Sequence, residues 1–345
     1  MPGQLNVGVV GLGRLGSVYA RNLAQRVPNA RLVAVADRKP ELREQFAAEL
    51  GVKTYADHLD LLADSNVDAV AVISSTSTHK AVVMDAARCG KAIFCEKPMS
   101  LSLEGAHEMQ QAIERAGVFF QIGFQRRFDA GYVEAKRRIE AGLIGEPVLM
   151  TAVSRDPFRP PLEFCDPNVS GGLIADMGVH DFDLGRMFLG EVQSASAVGG
   201  VLAYPEMASV GDIDNALINL VFENGKLGTV MLSRNSVFGY DIRTEIWGTK
   251  GSLQIGYFQH TPVLTMTQEG ITHDVVPHFM QRFESAYLAQ IQDFVNRVQA
   301  GQPPLLTGAD AIAAMRISLA ATISCRERRP VPVCEVEVAS PAITR

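Results

Sequence analysis

The sequence is poor in cysteine, and what it has is not arranged for a structural task. Cys89, Cys95, Cys165, Cys325 and Cys334 are scattered, odd in number and never paired as C-x-x-C. That excludes a disulfide framework and a structural zinc site, and fits a reducing compartment. Basic residues are in deficit: 32 Lys and Arg stand against 38 Asp and Glu, a formal charge of −6, so no general attraction to phosphate backbones or anionic lipid is expected. No uninterrupted apolar run reaches the ~18 residues of a membrane span. The opening MPGQLNVGVVGLGRLG lacks the basic segment, apolar stretch and cleavage site of a secretory signal. Repeats and low-complexity tracts are missing as well. These absences predict a soluble, cytoplasmic protein with no nucleic-acid or membrane partner.

What is present is globular material: 47% hydrophobic and 20% charged residues, away from disordered or fibrous compositions. A length of 345 residues predicts two domains at ~100–200 residues each. The first reads as alternating strands and helices. Short apolar runs at 5–10, 31–36, 52–55, 69–73, 92–95 and 118–122 alternate with helical stretches near 16–26, 40–50, 59–63, 79–89 and 102–116. Ser102 is placed to cap the last helix and Gly117 to stop it. Short connections between such units predict a doubly wound parallel sheet, a Rossmann domain over residues 1–124.

After Phe128 the pattern changes. A basic helix at 132–141 leads into strands expected at 147–154, 193–199, 216–222, 227–233, 243–248, 251–255 and 262–268, with helices near 177–189, 280–300 and 308–325. This predicts a C-terminal α/β domain over 125–338, with a large, mostly antiparallel open sheet, and a tail at 339–345. Too few helices follow residue 190 to cover both faces of such a sheet, which predicts packing against another subunit.

Gly11-Leu12-Gly13-Arg14-Leu15-Gly16 matches G-x-G-x-x-G directly after a strand and at the start of a helix, the context that turns a weak motif into a dinucleotide site. Gly11 allows the tight turn, Gly13 the approach of a pyrophosphate, and Gly16 close packing of helix on strand. Asp37, 21 residues after Gly16, is placed to accept hydrogen bonds from ribose hydroxyls and to repel a 2′-phosphate, favouring NAD. Arg38 beside it leaves NADP open. Ser74, Ser75, Thr76 and His79 follow the fourth strand at a carboxyl edge, where they line the cofactor, cap the next helix, or both.

Glu96-Lys97-Pro98 puts a lysine at the end of the fifth strand, beside a cleft. Farther on, Asp176 and His180 stand at i, i+4 and share one face if their segment is helical. Such a set suits proton transfer: the imidazole removes a hydroxyl proton, the carboxylate orients it or binds a hydroxyl, and the lysine steadies a developing alkoxide. Asp181 and Asp183 are close by and compete with Asp176 for that role. The other histidines form no metal-binding pattern, so no metal is expected.

In order along the chain, GLGRLG, Glu96-Lys97-Pro98, Gly123-Phe124-Gln125-Arg126-Arg127-Phe128-Asp129 and Asp176-x-x-x-His180 resemble the Gfo/Idh/MocA oxidoreductases over nearly the whole length. Ser154-Arg155-Asp156-Pro157, Pro160-Pro161 and Ser170-Gly171-Gly172 ahead of Asp176 look like the inositol 2-dehydrogenase branch. The resemblance implies a Rossmann domain joined to an α/β domain whose sheet builds homodimers or homotetramers, with nicotinamide held between the two. It implies Lys97 as the catalytic lysine, Asp176 as the substrate-orienting acid and His180 as the general base. Glu96, Lys97 and Gln125 join the cofactor set, and Arg127, Asp156 and Asn235 join Lys97, Asp176 and His180 around the substrate. Asn235 stands where the inositol enzymes carry an aromatic.

The implied reaction is NAD-dependent oxidation of a secondary ring hydroxyl of a cyclic polyol or sugar, inositol first, to a ketone. A pyranose or anhydrosugar dehydrogenase, an NAD-dependent glycoside hydrolase with no net NADH, and a non-catalytic nucleotide-sensing regulator are the competing readings.

Overall fold

The computed structural model describes residues 3–336, so the expected tail at 339–345 lies outside the described residues. In chain order the first elements are β1 (Leu5–Val10), α1 (Arg14–Gln25), β2 (Ala30–Ala36), α2 (Pro40–Leu50), β3 (Lys53–Tyr55), α3 (His58–Ala63), β4 (Ala69–Val72), α4 (Thr76–Arg88), β5 (Ala92–Glu96), α5 (Leu103–Ala116) and β6 (Phe120–Gly123). There follow α6 (Ala130–Glu140), β7 (Pro147–Arg155), the short α7 (Leu162–Cys165) and α8 (Pro167–Ser170), α9 (Gly172–Leu189), β8 (Val192–Gly200), β9 (Asn215–Phe222), β10 (Leu227–Ser233), β11 (Asp241–Gly248) and β12 (Gly251–Ile255). The chain ends with β13 (Thr265–Thr267), β14 (Gly270–Thr272), α10 (Phe279–Arg282), α11 (Glu284–Ala300), α12 (Gly308–Glu327) and β15 (Val331–Pro332).

Two compact units result, one of residues to Gln125 with Ser285–Ile312, the other of Arg126–Glu284 with residues from Ala313 onward. The first holds a six-stranded, all-parallel sheet in the order β3-β2-β1-β4-β5-β6, the strand order of a doubly wound dinucleotide fold. Every residue of β4 is buried, as expected of a strand covered on both faces. Ser102 accepts from Gly105 N–H at 3.1 Å to start α5, and Gly117 ends it at φ +63°.

Residues 285–312 depart from the boundary drawn from sequence, which assigned them to the second domain. The reason is the inward face of α11. Phe294 meets Phe94 tilted at 5.8 Å and Phe119 edge-on at 5.6 Å, and Tyr287 meets Tyr19 edge-on at 5.9 Å. Burying those rings outweighs the distance along the chain.

The second unit carries a seven-stranded sheet in the order β12-β11-β7-β10-β9-β8-β15. Its pairs are antiparallel except β7 with β10, which run parallel. Helix α9 packs on β7, β10 and β9, against the face that presents Ala216, Ile218, Leu220 and Phe222. Residues of the opposite face, Val198, Leu217, Leu227 and Trp247, are about half or more exposed.

Two expectations are corrected here. The strand expected at 262–268 shrinks to β13, which pairs only with β14 in a separate hairpin; both strands are solvent-exposed, so its apolar residues reach no core. The helix expected at 280–300 is broken into α10 and α11. Helix α12 is long and apolar enough to cross a membrane by composition, but 56% of its most apolar window is buried in protein, as in a core helix.

Candidate active site

The turn after β1 is built by its glycines. Gly11 holds φ +93°, where side chains are strained, and a Cβ there would lie 2.5 Å from Ser74 Cα. A Cβ on Gly16 would lie 1.9 Å from the Gly11 carbonyl oxygen, so α1 and β1 meet backbone to backbone. Gly13 is different: it is exposed, and a Cβ would meet nothing within 4 Å. The first turn of α1, with Arg14, Leu15 and Gly16, has no side-chain cap and no acidic residue, which leaves the positive end of the helix to an anion. Asp37 braces the turn from below: Oδ2 accepts from Leu12 N–H at 2.7 Å and Oδ1 from Lys39 N–H at 2.9 Å. Its remaining lone pairs stay at the half-buried strand edge beside exposed Arg38. An open glycine, an uncapped helix start and a carboxylate after β2 fit a dinucleotide.

After β4, the Ser74 and Thr78 hydroxyls are 2.7 Å apart, and Ser75 holds the N-cap position of α4 without a side-chain bond to it. Thr76, not His79, opens the helix. His79 was expected to line the cofactor; instead its buried ring lies between two carbonyl oxygens, Pro98 O at 2.9 Å from Nδ1 and Ser74 O at 3.0 Å from Nε2. It is a strut joining the loop after β4 to the loop after β5, because its position on the first turn of α4 turns it inward.

Lys97 is half-buried at the end of β5 and joined to Pro98 by a cis peptide bond. Glu96 is the second correction. Alternation along β5 sends its carboxylate into the unit, where it accepts from the Tyr19 hydroxyl and, at 3.1 Å, from Gln290 Nε2, while Oε2 accepts from Lys97 N–H at 3.0 Å. Burial pushes its carboxyl up to about 7 against these bonds. Its side chain is engaged inside the unit, where it holds the backbone of Lys97. Gln125, the last residue of this unit's first segment, is buried.

In the second unit α9 begins at Gly172, so Asp176 and His180 are helical and one turn apart. Asp176 is partly exposed and His180 buried. The neighbouring acids are committed elsewhere. Asp181 accepts from Arg126 at 2.6 Å and from Ser154 at 2.6 Å, and Asp183 takes a bidentate grip from Arg127 at 2.7 and 2.8 Å. Arg127, expected among substrate contacts, therefore uses its fork to anchor α9. Asp156 follows β7 and Asn235 follows β10; the parallel pairing of those strands puts both at one sheet edge. Asn235 Oδ1 accepts from Ser233 Oγ at 2.5 Å.

Sequence reasoning missed Arg234, fully buried with Nη2 3.2 Å from Asp176 Oδ2. A charge immediately after the apolar run of β10 was the signal that marked it. Tyr19 and Gln290 were also missed; neither stands in a motif.

A braced glycine turn on one unit and a carboxylate with an imidazole on one helix of the other define the class, a dinucleotide-dependent oxidoreductase. Comparison with known proteins narrows it. Residues 5–124 match the oxidoreductase family's NAD-binding Rossmann fold and residues 136–333 its C-terminal alpha/beta domain, and the chain belongs to the Gfo/Idh/MocA oxidoreductase family. It is 42% identical to scyllo-inositol 2-dehydrogenase (NAD(+)) of Bacillus subtilis, over 96% of this chain and 97% of that one. It is 38% identical to myo-inositol 2-dehydrogenase of Thermotoga maritima, over 96% and 99%. Among solved structures, scyllo-inositol dehydrogenase from Lactobacillus casei with bound NAD(H) and scyllo-inositol matches with a TM-score of 0.91 at 32% identity, over 96% of this chain and 99% of that one.

Proposed function

We propose that this protein oxidises a secondary ring hydroxyl of a cyclic polyol, an inositol, to the ketone. The observation that carries the reading is the pair on α9: Asp176 and His180 share one helix face, while Asp181 and Asp183 are tied to arginines. The names of the relatives support the same substrate class. Bound NAD supplies the hydride acceptor, held by Gly11, Gly13, Arg14, Leu15 and Gly16 at the helix start, by Asp37, and by the hydroxyls of Ser74, Ser75 and Thr76. His180 takes the proton of the reacting hydroxyl, Asp176 accepts a hydrogen bond from a neighbouring hydroxyl, and Lys97 stabilises the oxygen as negative charge develops. Asp156 and Asn235 contact the remaining hydroxyls.

The face of the second sheet that presents Val198, Leu217, Leu227 and Trp247 to solvent supports a homodimer or homotetramer.

The test is absorbance at 340 nm with NAD and NADP offered separately against inositols, aldoses, anhydrosugars and chromogenic glycosides. NADH formation with an inositol is expected. Silence with every polyol, together with release of a glycoside's chromophore, would overturn the dehydrogenase reading in favour of a hydrolase.

A further inference from the structure

The one parallel pair in the second sheet, β7 with β10, brings two loops together at their carboxyl ends, and the loops are stitched by backbone. Asp156 N–H donates to Ser233 O at 2.9 Å, and Ser236 N–H donates to Asp156 O at 2.9 Å. Arg234 lies in this seam. Its own N–H donates to Asp214 O at 2.9 Å, which fixes the residue's backbone. Its guanidinium, with no solvent exposure, reaches Asp176 on α9 at 3.2 Å and approaches Asp156 at 3.9 Å. Nε and Nη1 have no hydrogen-bond partner among the described residues.

Two features distinguish this arginine from a structural ion pair. Arg126, equally buried, meets an Asp181 that is itself shut off from solvent, whereas the carboxylates of Asp156 and Asp176 remain 25% and 18% exposed. The guanidinium thus lies behind two acids that face outward. It also leaves two buried nitrogens, Nε and Nη1, without a hydrogen bond, where Arg126 leaves Nε alone, a costly state for a side chain that serves packing only.

We propose that Arg234 is the positioning residue of the substrate site, holding Asp156 and Asp176 side by side as hydrogen-bond acceptors so that they read two adjacent hydroxyls of one substrate. Each substrate hydroxyl donates to one of the two carboxylates, and the guanidinium behind them sets the spacing and direction of both acceptors. The arrangement selects vicinal diols, and it rests on the polyol reading given above.

The experiment uses the full-length protein with NAD, the preferred inositol, and a deoxyinositol lacking a hydroxyl next to the reacting carbon. In the unaltered protein the deoxy analogue should lose at least tenfold in kcat/KM. In Arg234→Met, KM for the inositol should rise at least tenfold with NAD affinity within twofold of normal, and the penalty for the missing hydroxyl should shrink below threefold. A merely structural arginine would leave that penalty unchanged, and an unchanged penalty overturns the proposal. Arg234→Lys keeps the charge and loses the fork, so its KM should fall between the two. If Arg234→Met does not fold, Arg234→Lys decides: a KM within twofold of normal overturns the proposal, and a rise of threefold or more supports it. An unaltered protein that oxidises no cyclic polyol overturns the functional reading itself, a result distinct from an active protein indifferent to Arg234.

Discussion

Asp181 accepts a hydrogen bond from Arg126 Nη1 at 2.6 Å with both side chains closed to solvent, although 55 residues separate them. Arg127 and Asp183 repeat the arrangement next door. Two consecutive arginines thus grip two aspartates on α9, one and three residues beyond His180. Burial pushes the Asp181 carboxyl up, and the guanidinium and the Ser154 hydroxyl oppose that shift. Asp181→Asn leaves a buried guanidinium without its counter-charge and is expected to cost about 3–5 kcal/mol. Urea unfolding measures it. The double replacement Arg126→Met with Asp181→Leu should cost less than the single one, because no charge is then stranded.

In the proposed reaction, proton transfer places the largest demand on His180. His180→Ala is expected to lower turnover by ~10² to 10⁴, and Lys97→Ala and Asp176→Asn to lower it as well, while NAD affinity stays near normal. Steady-state rates alongside NAD titration check this. Wild-type turnover in His180→Ala would remove it from the role of base.

The glycine turn offers a contrast between fold and ligand. Gly16→Ala drives a Cβ to 1.9 Å from the Gly11 carbonyl oxygen, a backbone clash that no rotamer relieves, so both Tm and NAD affinity should fall. Gly13→Ala meets nothing within 4 Å and should keep its Tm while weakening NAD at least tenfold. A thermal melt and a nucleotide titration on each variant separate the two effects.

Glu96 predicts a pH dependence of stability. Its carboxyl rises from 4.5 to about 7 in the fold, so between those values the folded state holds a proton that the unfolded chain has released. Stability is then lost as pH rises from 4.5 toward 7 and stays lost above, by about 3 kcal/mol at ~1.4 kcal/mol per unit. Glu96→Gln cannot ionise. Its stability relative to the unaltered protein should therefore increase from pH 5 to pH 8, read as the difference between two urea curves at each pH. A difference that stays flat with pH would mean Glu96 does not titrate in this range.

The bare face of the second sheet predicts an assembly. Val198 and Leu217 are cross-strand partners on that face, 64% and 48% exposed. Replacing both with lysine should reduce the mass in analytical ultracentrifugation to that of one chain of 37.4 kDa without lowering the Tm of the monomer's core. A mass unchanged from that of the unaltered protein would place the interface elsewhere.

Much of this was legible in the chain because it depends on neighbours in sequence. The G-x-G-x-x-G turn, the acid after β2, the lysine after β5 and the i, i+4 pair on α9 are set by local spacing and by alternation of apolar runs. The carboxyl directions of Glu96 and the inward turn of His79 were not legible. Strand parity alone turns Glu96 away from the edge that Lys97 occupies, and it finds partners on α1 and on α11, 194 residues later.

The sequence by itself determined the alternating architecture of the first unit, the dinucleotide turn and the i, i+4 spacing of the candidate acid–base residues Asp176 and His180, since each follows from short-range pattern and side-chain chemistry. Only the tertiary structure decided which aspartate near His180 remains accessible, that 285–312 belongs with the Rossmann sheet, and that Arg234 lies behind Asp156 and Asp176. Those facts are set by strand pairing and by burial of rings and charges, contacts between segments far apart in the chain that local periodicity does not encode.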